Sequence, residues 1–126
     1  MKLFSGLVLS AILSLSLFAQ ADFKAFSQGD YDAALKAGGT VVVDFHASWC
    51  PTCRKQEPLL NEISKMKGYE KVVALKADFD AEKDLKKSLN VSKQSTIVVF
   101  KNGKEVARKT GVTDKEELKK LIDMGL

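Results

Sequence analysis

The chain holds two cysteines, and both stand in one heptapeptide, SWCPTCR, at residues 48–54. Two thiols separated by two residues can hold a metal, staple a fold or carry electrons. A structural zinc site takes four ligands, usually cysteines and histidines. Beyond Cys50 and Cys53 the sequence offers one histidine, His46, so a metal or cluster would need a second subunit. A structural disulfide across so short a loop removes little entropy from the unfolded chain. The redox reading has positive support from position. Residues three apart on a helix stand about 5 to 6 Å apart, a separation a disulfide tolerates, so the pair can open and close with little backbone movement. Cys50 falls where a strand gives way to a helix. There its sulfur meets unpaired backbone amides and the positive end of the helix dipole, which favour thiolate over thiol. Cys50 is expected to attack, and Cys53, one turn inside and less exposed, to resolve the mixed disulfide.

The elements around this motif follow from periodicity. Residues 40–45, TVVVDF, are β-branched and almost entirely apolar, as a strand covered on both faces is. Pro51 sits at a favoured first-turn position of a helix expected over 51–66, with Leu59, Ile63 and Met66 as its apolar stripe and, because of Pro58, a kink near Arg54 to Pro58. Before the strand, residues 30–37 end in Gly38-Gly39 and predict a short helix. After the helix come a second buried strand over 71–78, a helix over 82–89 and a third strand over 96–101. Asn102-Gly103 is a strong hairpin signal, which pairs 104–110 antiparallel with its predecessor. Thr113 or Asp114 then caps a last helix that turns Leu118, Leu121 and Ile122 inward. The order predicts an α/β fold, a central mixed sheet of four or five strands with helices on both faces.

The beginning of the chain reads differently. Lys2 precedes an uncharged, mostly apolar run that ends at Ala19-Gln20-Ala21, the pattern of a secretory signal over 1–21 with one domain over 22–126. A retained membrane anchor is the competing reading, since the run approaches the length that spans a bilayer. Export, to the periplasm for a bacterial chain, sets an oxidising environment for the thiols. The net charge of +4 is spread among acidic neighbours, so a solvated surface explains the lysines and a nucleic-acid partner is not expected.

VVVDFHASWCPTC, with Pro58 eight residues after Cys50, resembles the thioredoxin family, and the agreement in element order extends over roughly residues 25–124. The resemblance implies that Trp49 shields the site and that Asp44 is a buried carboxylate beneath the cysteines, taking the proton of Cys53 during resolution. It also implies that Lys76 is the buried lysine beside Asp44, and that Gly103 and Gly111 are turn and bulge glycines. The substrate-contacting rim it implies comprises Trp49, Pro51, Thr52, Ser95 and Thr96, with Pro51 and Thr52 tuning the potential. Two positions depart from the family. Ser95 stands where the family has a cis proline before the threonine that opens the penultimate strand; a cis bond before serine costs about 2.5 to 4 kcal/mol, which favours a trans loop and puts the grip on substrate in question. His46 replaces an aromatic residue, and it would either lower a thiol pKa as histidinium or serve structurally.

Together these readings lead to an exported thiol:disulfide oxidoreductase that reduces or exchanges disulfides in other exported proteins. It is expected to be monomeric, without organic cofactor or metal, and fed by a membrane-bound electron donor. The alternatives are a non-catalytic chaperone or binding module on the same fold, and a dimer bridging an iron–sulfur cluster.

Overall fold

Segments rich in β-branched residues alternate with helix formers, and the elements of the computed structural model follow that alternation: β1 (Lys24–Ala25), α1 (Gln28–Ala37), β2 (Val41–His46), α2 (Pro51–Ser64), β3 (Val73–Asp78), α3 (Lys83–Leu89), β4 (Thr96–Lys101), β5 (Lys104–Thr110) and α4 (Lys115–Asp123). The structure describes residues 22–126. The leader expected over 1–21, whether cleaved or kept as an anchor, lies outside the described residues.

The five strands form one mixed sheet in the order β1-β3-β2-β4-β5. β3 runs parallel to both β1 and β2, whereas β4 pairs antiparallel with β2 and with β5. Side chains alternate across a strand, and this alternation splits the core into two layers. Val41, Val43 and Phe45 pack with Tyr31 and Ala34 of α1, Leu85 of α3, and Leu75, Val98 and Phe100. On the other face Val42, Ile97 and Val99 pack with Leu60 and Ile63 of α2 and with Leu118, Leu121 and Ile122 of α4. β2 is buried along its length except at His46, because it has a neighbour on each edge and helices over both faces.

Several expectations are corrected in detail. β1 is a two-residue edge strand too short to announce itself in the sequence. β3 starts at Val73, and only Leu75 and Ala77 in it are buried; with so short a neighbour at its outer edge it is half covered, not fully. α2 ends at Ser64. Its inward residues are Cys53, Gln56, Leu60 and Ile63, whereas Leu59 and Met66 are only partly buried. Pro58 lies inside α2, as expected. The hairpin turn is as expected: Asn102 and Gly103 have φ of 51° and 75°, the left-handed pair that matches the twist of the flanking strands. The cap of α4 is Asp114, whose side chain accepts from the Glu117 amide.

Candidate functional site

β2 delivers the chain to the edge of the sheet, the loop over 47–49 turns it, and α2 begins at Pro51 with Cys50 as its N-cap. The Cys53 amide donates to Cys50 Sγ at 3.2 Å. The first cysteine thus occupies the place that Ser or Asp takes at other helix starts, where backbone dipoles favour negative charge. Cys53 lies one turn on, its Sγ 4.0 Å from the Phe45 carbonyl. Both cysteines are free thiols here. Cys50 is 2% and Cys53 1% exposed, so the expected contrast between an open and a covered thiol is corrected: both pack with Ala47 and Phe79 in a small apolar cluster. That cover raises the Cys53 thiol to about 12, first through burial and then through its hydrogen bond with Cys50, with the charges of Cys50 and Asp44 adding to it.

Trp49 immediately precedes Cys50. It is 56% exposed, and its indole N–H donates to Asp80 Oδ2 at 2.7 Å. Pro51 is exposed and Thr52 half-buried, so the motif presents Trp49, Pro51 and part of Thr52 to a visitor.

Asp44 continues the row of Val42 on the face of β2 beneath α2 and is 2% exposed. Its carboxyl is raised to about 7, first by burial and then by the charge of Glu57, with Lys76 opposing. One of its oxygens, Oδ1, has no hydrogen-bond partner. A buried carboxyl in this condition can hold a proton near neutrality and give it up again, which is what a thiol as weakly acidic as Cys53 needs nearby.

Lys76 stands directly opposite Asp44 in the β2–β3 register, but its ammonium is about one-third exposed and bonds Glu57 Oε1 at 3.0 Å. The expected buried Asp–Lys pair is therefore corrected to a lysine that faces Asp44 electrostatically while its hydrogen bond goes to a second carboxylate. His46 turns Nε2 toward the same carboxylate, 3.6 Å from Glu57 Oε2, and its buried Nδ1 is unpaired. Glu57 is the residue that sequence reading missed. Its signal was the helical spacing: four residues after Cys53, it falls one turn along the same side of α2. Glu57→Gln is expected to lower the Asp44 pKa by roughly one pH unit, because it removes a raising charge and releases Lys76 to face Asp44. A carboxyl NMR titration measures this, and a midpoint unchanged or raised would contradict it.

On the other side of the cysteines lies Ser95. It is 6% exposed and has φ of 60°, a left-handed conformation that strains any residue with a Cβ. Among the described residues there is no cis peptide bond, so the loop before Thr96 is trans. The Ser95 amide donates to the Phe45 carbonyl at 2.8 Å, the same carbonyl that Cys53 Sγ approaches. Thr96 is buried, paired with Thr110 in the β4–β5 ladder, with its hydroxyl engaged by the Lys93 carbonyl and Thr110 Oγ1, so its side chain is turned away from a partner. Gly111 is not at a bulge. The register shift lies between Val99 and Phe100, and Gly111, at φ 79°, donates its amide to the Ser95 carbonyl at 3.1 Å. Among the described residues no group of three or more His, Cys, Asp and Glu side chains is placed to hold a metal ion.

A dithiol capping a helix at the end of a parallel strand, with a proton-holding carboxyl behind it, defines an α/β redox protein of the dithiol–disulfide class. The thioredoxin family model matches residues 22–124. Thioredoxin from Chlamydia muridarum is 42% identical over 86 residues, covering 68% of this chain and 82% of that protein. Thioredoxin 1 from Plasmodium falciparum is 35% identical over 97 residues, 77% of this chain and 90% of that one. Among solved structures, Trxlp from Edwardsiella tarda superposes with a TM-score of 0.77 at 31% identity, covering 79% of this chain and 97% of its own. The chain belongs to the thioredoxin family, and it fits that family's thiol:disulfide oxidoreductase activity.

Proposed function

We propose that this protein reduces disulfides in exported proteins, with Cys50 as nucleophile and Cys53 as resolving thiol. The observation that carries the reading is the pairing of a helix-capping Cys50 with a resolving thiol raised to about 12 and a carboxyl raised to about 7 on the neighbouring strand. The Cys50 thiolate attacks one sulfur of a partner's disulfide, forming a mixed disulfide and expelling the partner's other sulfur as thiolate. Once Cys50 is bonded to the partner, its share in raising the Cys53 thiol is gone. Asp44 takes the Cys53 proton, and the Cys53 thiolate attacks Cys50 Sγ. The second partner sulfur leaves as thiolate, two electrons have passed to the partner, and a Cys50–Cys53 disulfide remains. Asp44 then returns its proton toward solvent by way of the side where Glu57, His46 and Lys76 meet water.

The apolar run over residues 1–21 supports export, and in an oxidising compartment a reductase of this kind draws its electrons from a membrane-bound dithiol donor. Dithiothreitol-driven reduction of insulin tests the activity and should be accelerated by micromolar protein. The equilibrium potential tests the direction. A value near roughly −270 mV, where thioredoxin itself lies, fits a reductant, whereas one near roughly −120 mV makes the protein an oxidant and reverses the proposal.

A further inference from the structure

Gln56 is the one polar side chain of α2 that the redox chemistry does not use and that is wholly buried, at 0% exposure. Three residues after Cys53, it shares that residue's face of the helix. Its Nε2 donates to the Val112 carbonyl at 2.9 Å and to the Ser95 carbonyl at 3.3 Å. Both partners are pure acceptors, so the amide nitrogen must face them. Its Oε1 is left without a partner, an omission that costs about 1 to 3 kcal/mol in a buried site and that an apolar residue of similar size would avoid.

The two carbonyls belong to the segments that enter β4 and leave β5. Gly111 already ties these segments together through the Ser95 carbonyl. Ser95 is thereby held from both ends: its amide by Phe45, its carbonyl by Gly111 and Gln56. This grip keeps a strained φ in place beside the cysteines, and it does so from the helix that carries them.

We propose that Gln56 is a positioning residue that presets the Ser95 and Val112 segments for an extended polypeptide carrying the disulfide. The role rests on the oxidoreductase reading above and names the side chain that readies the site for the protein part of its substrate. A loop ordered beforehand leaves less freedom to be lost on binding. A small disulfide, which needs the sulfur alone, gains nothing from it.

The test compares Gln56→Met and Gln56→Leu with the parent chain. With insulin as substrate, KM should rise about tenfold, equivalent to about 1.4 kcal/mol of lost grip, with kcat held. Reduction of 5,5′-dithiobis(2-nitrobenzoate) by the reduced protein should stay within about twofold, and the thermal midpoint should move by no more than about 5 °C, since the variants lose two hydrogen bonds but also remove one orphaned oxygen. Amide exchange at Ser95 and Gly111 should quicken in both variants. If the parent chain turns over both disulfides and the variants lose both equally, or lose neither, the role of Gln56 is overturned while the oxidoreductase reading stands. If the parent chain turns over neither, the reading falls and this role with it.

Discussion

Cys50→Ser is expected to lower disulfide reduction by at least about 1,000-fold, because an alcohol in place of the thiol supplies no ionised nucleophile near neutral pH. Cys53→Ala should also stop turnover, but in a different way. The attack by Cys50 still occurs, and without the thiol one turn along the helix nothing breaks the new S–S bond. The variant should therefore accumulate as a mixed disulfide, seen as a reducible adduct on a non-reducing gel and by intact-mass measurement. The geometry makes the two outcomes asymmetric. Cys50 caps α2 and takes the Cys53 amide, whereas the Cys53 thiol is raised, first by burial, to about 12, too weakly acidic to attack a foreign disulfide unaided. Adduct formation by Cys50→Ser through Cys53, at a rate near that of the parent chain, would reverse the assignment. Because Cys50 itself is only 2% exposed, the adduct should form more slowly with bulky thiol reagents than with small ones.

The second large effect concerns Asp44 and stability. Its carboxyl stands at about 7 in the folded chain against an ordinary 3.8. Between those two values the folded state holds a proton that the unfolded state has already lost. Raising the pH through this window therefore favours unfolding, and stability should fall from about pH 4 to about pH 7 and then level off. At about 1.4 kcal/mol per pH unit this amounts to about 4 kcal/mol. In Asp44→Asn that loss disappears, so the variant should gain about 4 kcal/mol on the parent chain in going from pH 4 to pH 8. Urea unfolding at the two pH values measures the difference, and a gain below about 1 kcal/mol would show that Asp44 is not held in the neutral form. The same substitution should slow turnover by roughly 100-fold near pH 7, the ordinary worth of a placed general base. A variant that is more stable and less active separates the proton-handling role from a packing role, since loss of packing would lower both.

His46 and Glu57 show where the network around Asp44 meets water. Lys76 and Glu57 are each about one-third exposed, and an ion pair of that kind contributes at most about 1 kcal/mol to stability. On the site its two charges act in opposite directions: Glu57 raises the Asp44 carboxyl while Lys76 lowers it.

Much of this was determined by the sequence alone. The β-branched run of β2, the proline after Cys50 and the Asn-Gly turn each act through local sterics, so the strand, the helix start and the hairpin could be placed without a fold. The spacing of the cysteines likewise depends only on helix geometry. What the tertiary structure decided depends on neighbours that are far apart along the chain. The direction of the Lys76 ammonium required knowing that α2 lays Glu57 over β3. The burial of Gln56 required the segments around Ser95 and Val112 to converge on α2 from 39 and 56 residues away. The cover over Cys50 required Phe79 to arrive from the end of β3. Burial and charge proximity set both the carboxyl of Asp44 and the thiol of Cys53, and neither quantity exists until the sheet and the helix have packed.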